Sequence, residues 1–200
     1  MRLLLSPHND DEGLFASIII QRMRPLLLVI VTDSFIQERR GDLITWQQRR
    51  QESMDAAKIL EVPICFLGLP DAELTSEMML ESLKIFHPND DVIAPAIQGG
   101  NMNHDVVAEA AQKYFSRVWQ YATYAKGECF TPIAATSYHP TEHETAVKSR
   151  VLDCYTTQLA LRSTRPHFDA VRDQPEYISF SAQSSFDRHD AESTQPAIWS

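Results

Sequence analysis

Apolar residues along this chain follow two periods. Short continuous runs, Arg2–Leu5, Leu26–Thr32, Pro63–Gly68 and Asp91–Ala96, have the look of parallel strands covered on both faces. Between and after them, Glu12–Arg22, Leu43–Leu60, Thr75–Phe86 and Asp105–Phe115 repeat at the helical period. The first of these helices has acids in its first turn, which suit a helix N-terminus, and Thr75 or Ser76 can cap the third. Strand, helix and strand in succession define right-handed βαβ units. The fold class expected is therefore α/β: a three-layer, Rossmann-like domain with a mostly parallel sheet. Pro95 implies that the fourth strand ends there or lies near an edge.

Other stretches are less regular. Asp33–Asp42 has no periodicity and reads as a loop. Val118–Tyr124 and Phe130–Tyr138 alternate enough for two more strands, as a hairpin or a sheet extension, and Glu142–Leu161 predicts a last helix. From Arg162 onward the chain is polar and proline-dotted, interrupted by the strand-like Tyr177–Phe180, and the last ten residues read as disordered or free for an oligomer contact. With no repeat or linker, one catalytic domain over residues 1–200 is expected, with a core over about 1–161 and a polar tail over about 162–200.

Composition narrows the class. A net charge of -9 argues against a nucleic-acid partner, which calls for a basic face. The three cysteines, Cys65, Cys129 and Cys154, are far apart and lack any C-x-x-C spacing, so neither a disulfide framework nor a cysteine zinc site is expected. No apolar run approaches the ~20 residues of a membrane span, and no signal-peptide pattern precedes the first strand. A soluble cytoplasmic protein is expected.

The chemistry gathers at Ser6-Pro7-His8-Asn9-Asp10-Asp11-Glu12-Gly13, where the first strand hands over to the first helix. Strand carboxyl ends line the ligand crevice of an open α/β sheet, and crowded carboxylates there resist ionising together unless a cation is bound. His8 and Asp11 are three apart at a helix start and can face one way, which leaves Asp10 for another task. His104 follows the fourth strand across a Gly-Gly loop and is the best third ligand. Two histidines, one carboxylate and an open position form a catalytic zinc set, with Asp10 beside it as general base. Separately, an Asp-Asp-Glu run at a helix start is ordinary dipole placement, and a histidine after Gly-Gly is an ordinary surface or capping residue. The weight lies in their occurring together.

His8-Asn9-Asp10-Asp11-Glu12 resembles the His-Pro-Asp-Asp-Glu motif of the PIG-L/LmbE-like zinc N-deacetylases. Thr32-Asp33, Arg49-Arg50-Gln51-Glu52, Phe66-Leu67-Gly68-Leu69-Pro70-Asp71, Asn101-Met102-Asn103-His104, and Lys148 with Tyr155-Thr156-Thr157-Gln158 resemble further motifs of that family, in the family's order. The resemblance covers roughly Met1 to Leu161. It implies a zinc ion (or another divalent transition metal) on His8, Asp11 and His104, with Asp10 as base. It also implies that Arg49 is a substrate-side or structural arginine, that Asp71 is a loop contact, and that the substrate is a small N-acetylated sugar conjugate of the N-acetylglucosamine type. The product would be acetate and a free amine.

Two positions depart from the family pattern. Asn9 replaces a proline, and Asn101 stands where the family has a histidine that assists the oxyanion or leaving group. An amide can donate a hydrogen bond but cannot act as a general acid, so Asn101 is a substrate-side residue at most, and His139 and His143 are the nearest spare imidazoles in sequence. The alternative is a member that keeps the metal but has lost or redirected its activity and serves in binding or assembly. A magnesium-dependent phosphoryl transferase ranks third, since no Gly-rich loop with lysine is present and histidine ligands favour zinc. Oligomeric state is open. The Arg39-Arg40 pair, the Met78-Met79-Leu80 run, Trp46 and Cys154 read as solvated loop, packing, packing or interface, and packing respectively.

Overall fold

Alternate residues of each strand belong to opposite faces of one sheet, and that division builds the molecule. The computed structural model describes residues 1–33, 37–39, 42–126, 128, 131 and 133–182. In chain order its elements are β1 (Arg2–Ser6), α1 (Asp11–Phe15), α2 (Ser17–Met23), β2 (Leu27–Asp33), β3 (Gln37–Arg39), β4 (Asp42–Ile44), α3 (Trp46–Leu60), β5 (Ile64–Pro70), α4 (Ser76–Leu83), β6 (Asp91–Pro95) and α5 (Met102–Tyr114). These are followed by β7 (Arg117–Tyr121), β8 (Thr136–Tyr138), α6 (Glu142–Leu152), α7 (Thr156–Leu159), α8 (Arg165–Val171) and β9 (Glu176–Ala182).

A seven-stranded sheet has the order β5-β2-β1-β6-β7-β9-β8. Its first five strands are mutually parallel, and β9 runs antiparallel to β7 and β8. Leu4, Leu28, Ile30 and Ile93 face Phe15, Ile19, Ala56, Leu60, Val151 and Leu152 in one core. Leu3, Leu5, Val29, Val31, Val92 and Ala94 face Met79, Leu83, Val107 and Ala111 in the other. The three-layer, mostly parallel expectation holds because each parallel strand is apolar on both faces. Pro95 closes β6, a strand with neighbours on both sides.

The strand order reverses at β1. The chain moves outward through β2 to β5, then returns to place β6 on the other side of β1. A crevice forms at the carboxyl ends on either side of such a switch, and the loops after β1 and β6 are the ones that carry His8–Asp11 and Asn101–His104.

Several expectations are corrected. The helix expected over Glu12–Arg22 is two helices, broken at Ala16 (φ -134°, ψ 9°), because the distant Glu176 carboxylate takes the amides of Ile18 and Ile19 at 2.8 and 2.9 Å. The long helix starts at Trp46 rather than Leu43, where Thr45 and Gln48 form a capping box. Within the expected loop Asp33–Asp42, β3 pairs antiparallel with β4, while the Arg39 and Arg40 side chains lie outside the described residues. Of the two arrangements expected for the later strands, the sheet extension holds and the hairpin does not, since β7 and β8 both join the main sheet with β9 between them. The last helix ends at Leu152 and continues as separate short helices. Nor does the core stop near Leu161: Phe168, Val171 and Ile178 of the expected tail are buried in it. Residues 183–200 and Cys129 lie outside the description, and Cys65 and Cys154 are free thiols, each half-buried. Met79 packs in the core as expected, whereas Trp46 is 41% exposed, with the Arg50 guanidinium over its ring. Among the described residues no helix is long and apolar enough to cross a membrane.

Candidate active site

The turn after β1 is held from below. Both the amide and the hydroxyl of Thr32, at the end of β2, reach the Pro7 carbonyl (3.0 and 2.8 Å). The Glu12 amide donates to Ser6 Oγ, and the fully buried Glu12 carboxyl sits between Ser6 Oγ and the Tyr155 hydroxyl, each at 2.7 Å. Burial pushes Glu12 up to about 7. Tyr155 reaches this position because residue 13 is glycine: a Cβ there would lie 2.7 Å from its ring.

Above this base, three atoms converge. His8 Nδ1 and His104 Nε2 each lie 3.0 Å from Asp11 Oδ2, and the two nitrogens are 3.3 Å apart. The sequence-predicted ligands His8, Asp11 and His104 are thus brought together from two strand ends, and as a group they could hold a metal ion. Burial alone would raise Asp11, but the charges of His104 and His8 and their hydrogen bonds hold it well below the usual carboxylate range. Burial likewise opposes a charged His8, yet Asp11, aided by Asp71, raises that ring to about 10. Neighbouring carboxyls 11 and 12 are therefore shifted in opposite directions, Glu12 upward by burial and Asp11 downward by the two histidines.

The far nitrogen of His8 is also held. His8 Nε2 lies 3.1 Å from Asp71 Oδ1 and 3.2 Å from Asn103 Nδ2, and Asn103 donates to Asp71 Oδ1 at 2.6 Å. His104 is instead fixed by rings: Phe15 meets it edge-on at 6.4 Å and Tyr124 tilts against it at 5.3 Å.

Asp10 stands beside the triangle rather than in it. Arg49, one turn into α3, donates to Asp10 Oδ2 at 3.0 Å and to the Asn9 carbonyl at 3.1 Å. Burial raises the Asp10 carboxyl against the pull of the Arg49 charge, the direction a general base needs. Asn101 caps α5 through its Oδ1, which accepts the Asn103 amide at 2.8 Å, and its Nδ2 reaches the Tyr124 hydroxyl at 3.4 Å. The Gly-Gly loop explains that contact. A Cβ at Gly100 would fall 1.8 Å from the Tyr124 carbonyl oxygen, so only glycine lets the two segments come this close.

These groups open on a cavity of about 210 Å³, whose lining includes His8, Asp10, Asp11, Arg49, Asp71 and Asn101. Every candidate except the buried His104 lines it directly. Three further lining residues, Tyr124, Thr164 and His167, carry no signal in the sequence that marks them, and Asn103 shows only as part of the Asn101–His104 motif. Tyr124 lies just past β7, which ends at Tyr121 rather than at the expected Tyr124, and Thr164 and His167 fall in the expected tail. His139 and His143, the spare imidazoles suggested by sequence, do not line this cavity; His139 lies at a separate surface pocket with Glu142 and Asp173.

Sixteen chains of solved structure match this fold. A diacetylchitobiose deacetylase from Pyrococcus horikoshii aligns with a TM-score of 0.70 at 14% identity, over 90% of this chain and 83% of that one. A deacetylase of the teicoplanin biosynthetic pathway aligns at 0.65 and 17%, over 92% and 99%. GalB, the 4-carboxy-2-hydroxymuconate hydratase of Pseudomonas putida, aligns at 0.64 and 14%, over 92% and 96%. At such identities the likeness is one of fold. No curated protein matches the chain at a significant level. The sequence itself is matched over residues 3–115 by the family model PIG-L, described as GlcNAc-PI de-N-acetylase, and the chain belongs to that family.

Proposed function

We propose that the chain is a zinc-dependent hydrolase that removes the N-acetyl group from a small N-acetylglucosamine-type conjugate, releasing acetate and a free amine. The observation that carries this reading is the His8–Asp11–His104 triangle with Asp10 at its side. Edges of 3.0, 3.0 and 3.3 Å compare well with the separation of about 3.3 Å that bonds of about 2.0–2.1 Å impose around tetrahedral zinc. Two imidazole nitrogens and one carboxylate are also the donor chemistry that zinc selects over magnesium. His8, Asp11 and His104 would hold the ion, with Asp71 orienting His8 from behind. A bound zinc supplies Lewis acidity toward an amide carbonyl and brings the pKa of water toward neutrality.

Asp10 takes the proton of the attacking water, and Arg49 fixes the carboxylate that receives it. The water oxygen adds to the amide carbon, and the C–N bond then breaks as the nitrogen gains a proton. The small polar cavity and the family's description support a sugar conjugate as substrate. The test is acetate release from a panel of N-acetyl sugars, with and without chelator. Release that chelator abolishes and zinc restores is expected; none from zinc-loaded protein on any member overturns the reading. A second reading, a metal-retaining member with lost or redirected activity, is favoured by one observation: Asn101 occupies the histidine's place and spends its Oδ1 on the helix cap. Acetate release that appears only after Asn101→His would select it.

A further inference from the structure

Amide hydrolysis needs a proton at the leaving nitrogen, since an amine does not depart as its anion. Most polar groups on the cavity wall have other commitments. His8 and Asp11 face the ligand triangle, Asp71 holds His8, and Arg49 holds Asp10. Asn101 has no acidic proton to give and caps α5.

From the loops around the short helices after α6, a different imidazole enters. His167 of α8 lines the same cavity half-buried, with its ring 5.6 Å from that of Tyr124. Among the described residues no hydrogen bond engages its ring nitrogens. Imidazole is also the side chain that gives and regains a proton near neutral pH.

The segment that carries His167 is anchored. Phe168, the next residue, is fully buried and packs against Tyr155 at 5.9 Å. Thr164 hydrogen-bonds back to the Gln158 carbonyl. Glu52 binds Thr156 Oγ1, the Thr157 amide and Thr157 Oγ1 at 2.7–2.8 Å. Arg49 and Glu52 share one face of α3, so a single helix holds the base with one side chain and, with the other, the start of α7, whose Gln158 carbonyl receives Thr164.

We propose that His167 is the general acid of this chain, supplying from α8 the imidazole that Asn101 replaces at the start of α5. This rests on the deacetylase reading above. Protonated His167 gives its proton to the nitrogen as the C–N bond breaks, the bonding pair stays with nitrogen, and neutral His167 is reprotonated from solvent.

The experiment compares wild type, His167→Gln and Asn101→His/His167→Gln on N-acetylglucosamine, N,N′-diacetylchitobiose and 4-nitrophenyl acetate, with zinc content and thermal unfolding measured on each. The nitrophenolate of the ester leaves without a proton. His167→Gln should lose roughly 10²–10³-fold in amide hydrolysis, lose little ester hydrolysis, and keep its zinc and its unfolding temperature; the double variant should recover much of the amide activity. Equal losses on amide and ester, or no loss on either, overturn the proposal while leaving the deacetylase reading standing. A wild type that binds zinc yet releases no acetate from either sugar overturns that reading, and this proposal with it.

Discussion

Two buried charge clusters adjoin the first two helices, one at the start of α1 and the other at the start of α2, and they are built on opposite principles. Lys148 and Glu176 are each 1% exposed and satisfy one another: Nζ binds Oε1 at 2.8 Å, and Oε2 accepts the two amides that start α2. The triangle of His8, Asp11 and His104 instead aims two nitrogens and an oxygen at a common point. Buried charges are tolerated when paired and hydrogen-bonded. The first cluster meets that condition from within the chain and serves the fold, while the second meets it best around a cation. Burial alone therefore does not mark a functional site; the direction in which the donors point does.

That contrast can be broken from either side. Lys148→Met should leave Glu176 buried without its cation and destabilise the fold by about 3–5 kcal/mol, measured by denaturant unfolding, with zinc stoichiometry unchanged in the folded fraction. Lys148→Met/Glu176→Gln should recover part of that loss. Loss of zinc from the folded single variant would show that the two clusters are not separate.

Glu12, raised to about 7 by burial, belongs to neither cluster and is held by Ser6 and Tyr155. Its folded state holds the proton more tightly than the unfolded chain does, so its contribution to stability is full below about pH 4.5 and is lost as pH rises through about 7. In metal-free protein Glu12→Gln should therefore flatten the pH dependence of unfolding across that window, by up to ~3 kcal/mol. An unchanged slope would place the titration elsewhere. The smallest effect is expected at Asp71, which touches His8 from outside the triangle. Asp71→Asn should weaken zinc binding by roughly 10–100-fold by calorimetry, with the fold intact.

The sequence carries the first cluster's partner less clearly than the second. His8, Asp10 and Asp11 stand within one turn of chain, and His104 follows a glycine pair, so local spacing on a βαβ frame suggests the grouping and the ordered family motifs add the weight that spacing lacks. The parallel sheet was legible for a similar reason, because its strands are apolar on both faces. Contacts made at long range were not. Nothing in the apolar run Leu14–Ile20 signals a break at Ala16, since the group that ends the helix there is Glu176, which belongs to the last strand. The placement of β9 between β7 and β8 follows from pairing across the chain rather than from any local turn. His167 sits in a polar stretch where Phe168 and Val171 make only one helical turn of apolar pattern, and its place beside Tyr124 is settled by tertiary packing. Asn101 was read as a substitution, and its second task as the α5 cap appears only with the helix in view.

The division of labour between the two adjacent aspartates is the central claim, and zinc content with acetate release in wild type, Asp10→Asn and Asp11→Asn tests it most directly. Wild type and Asp10→Asn should each hold one zinc, with acetate release in Asp10→Asn lower by roughly 10²–10⁴-fold, and Asp11→Asn should hold none. Zinc lost from Asp10→Asn but kept by Asp11→Asn would contradict the account.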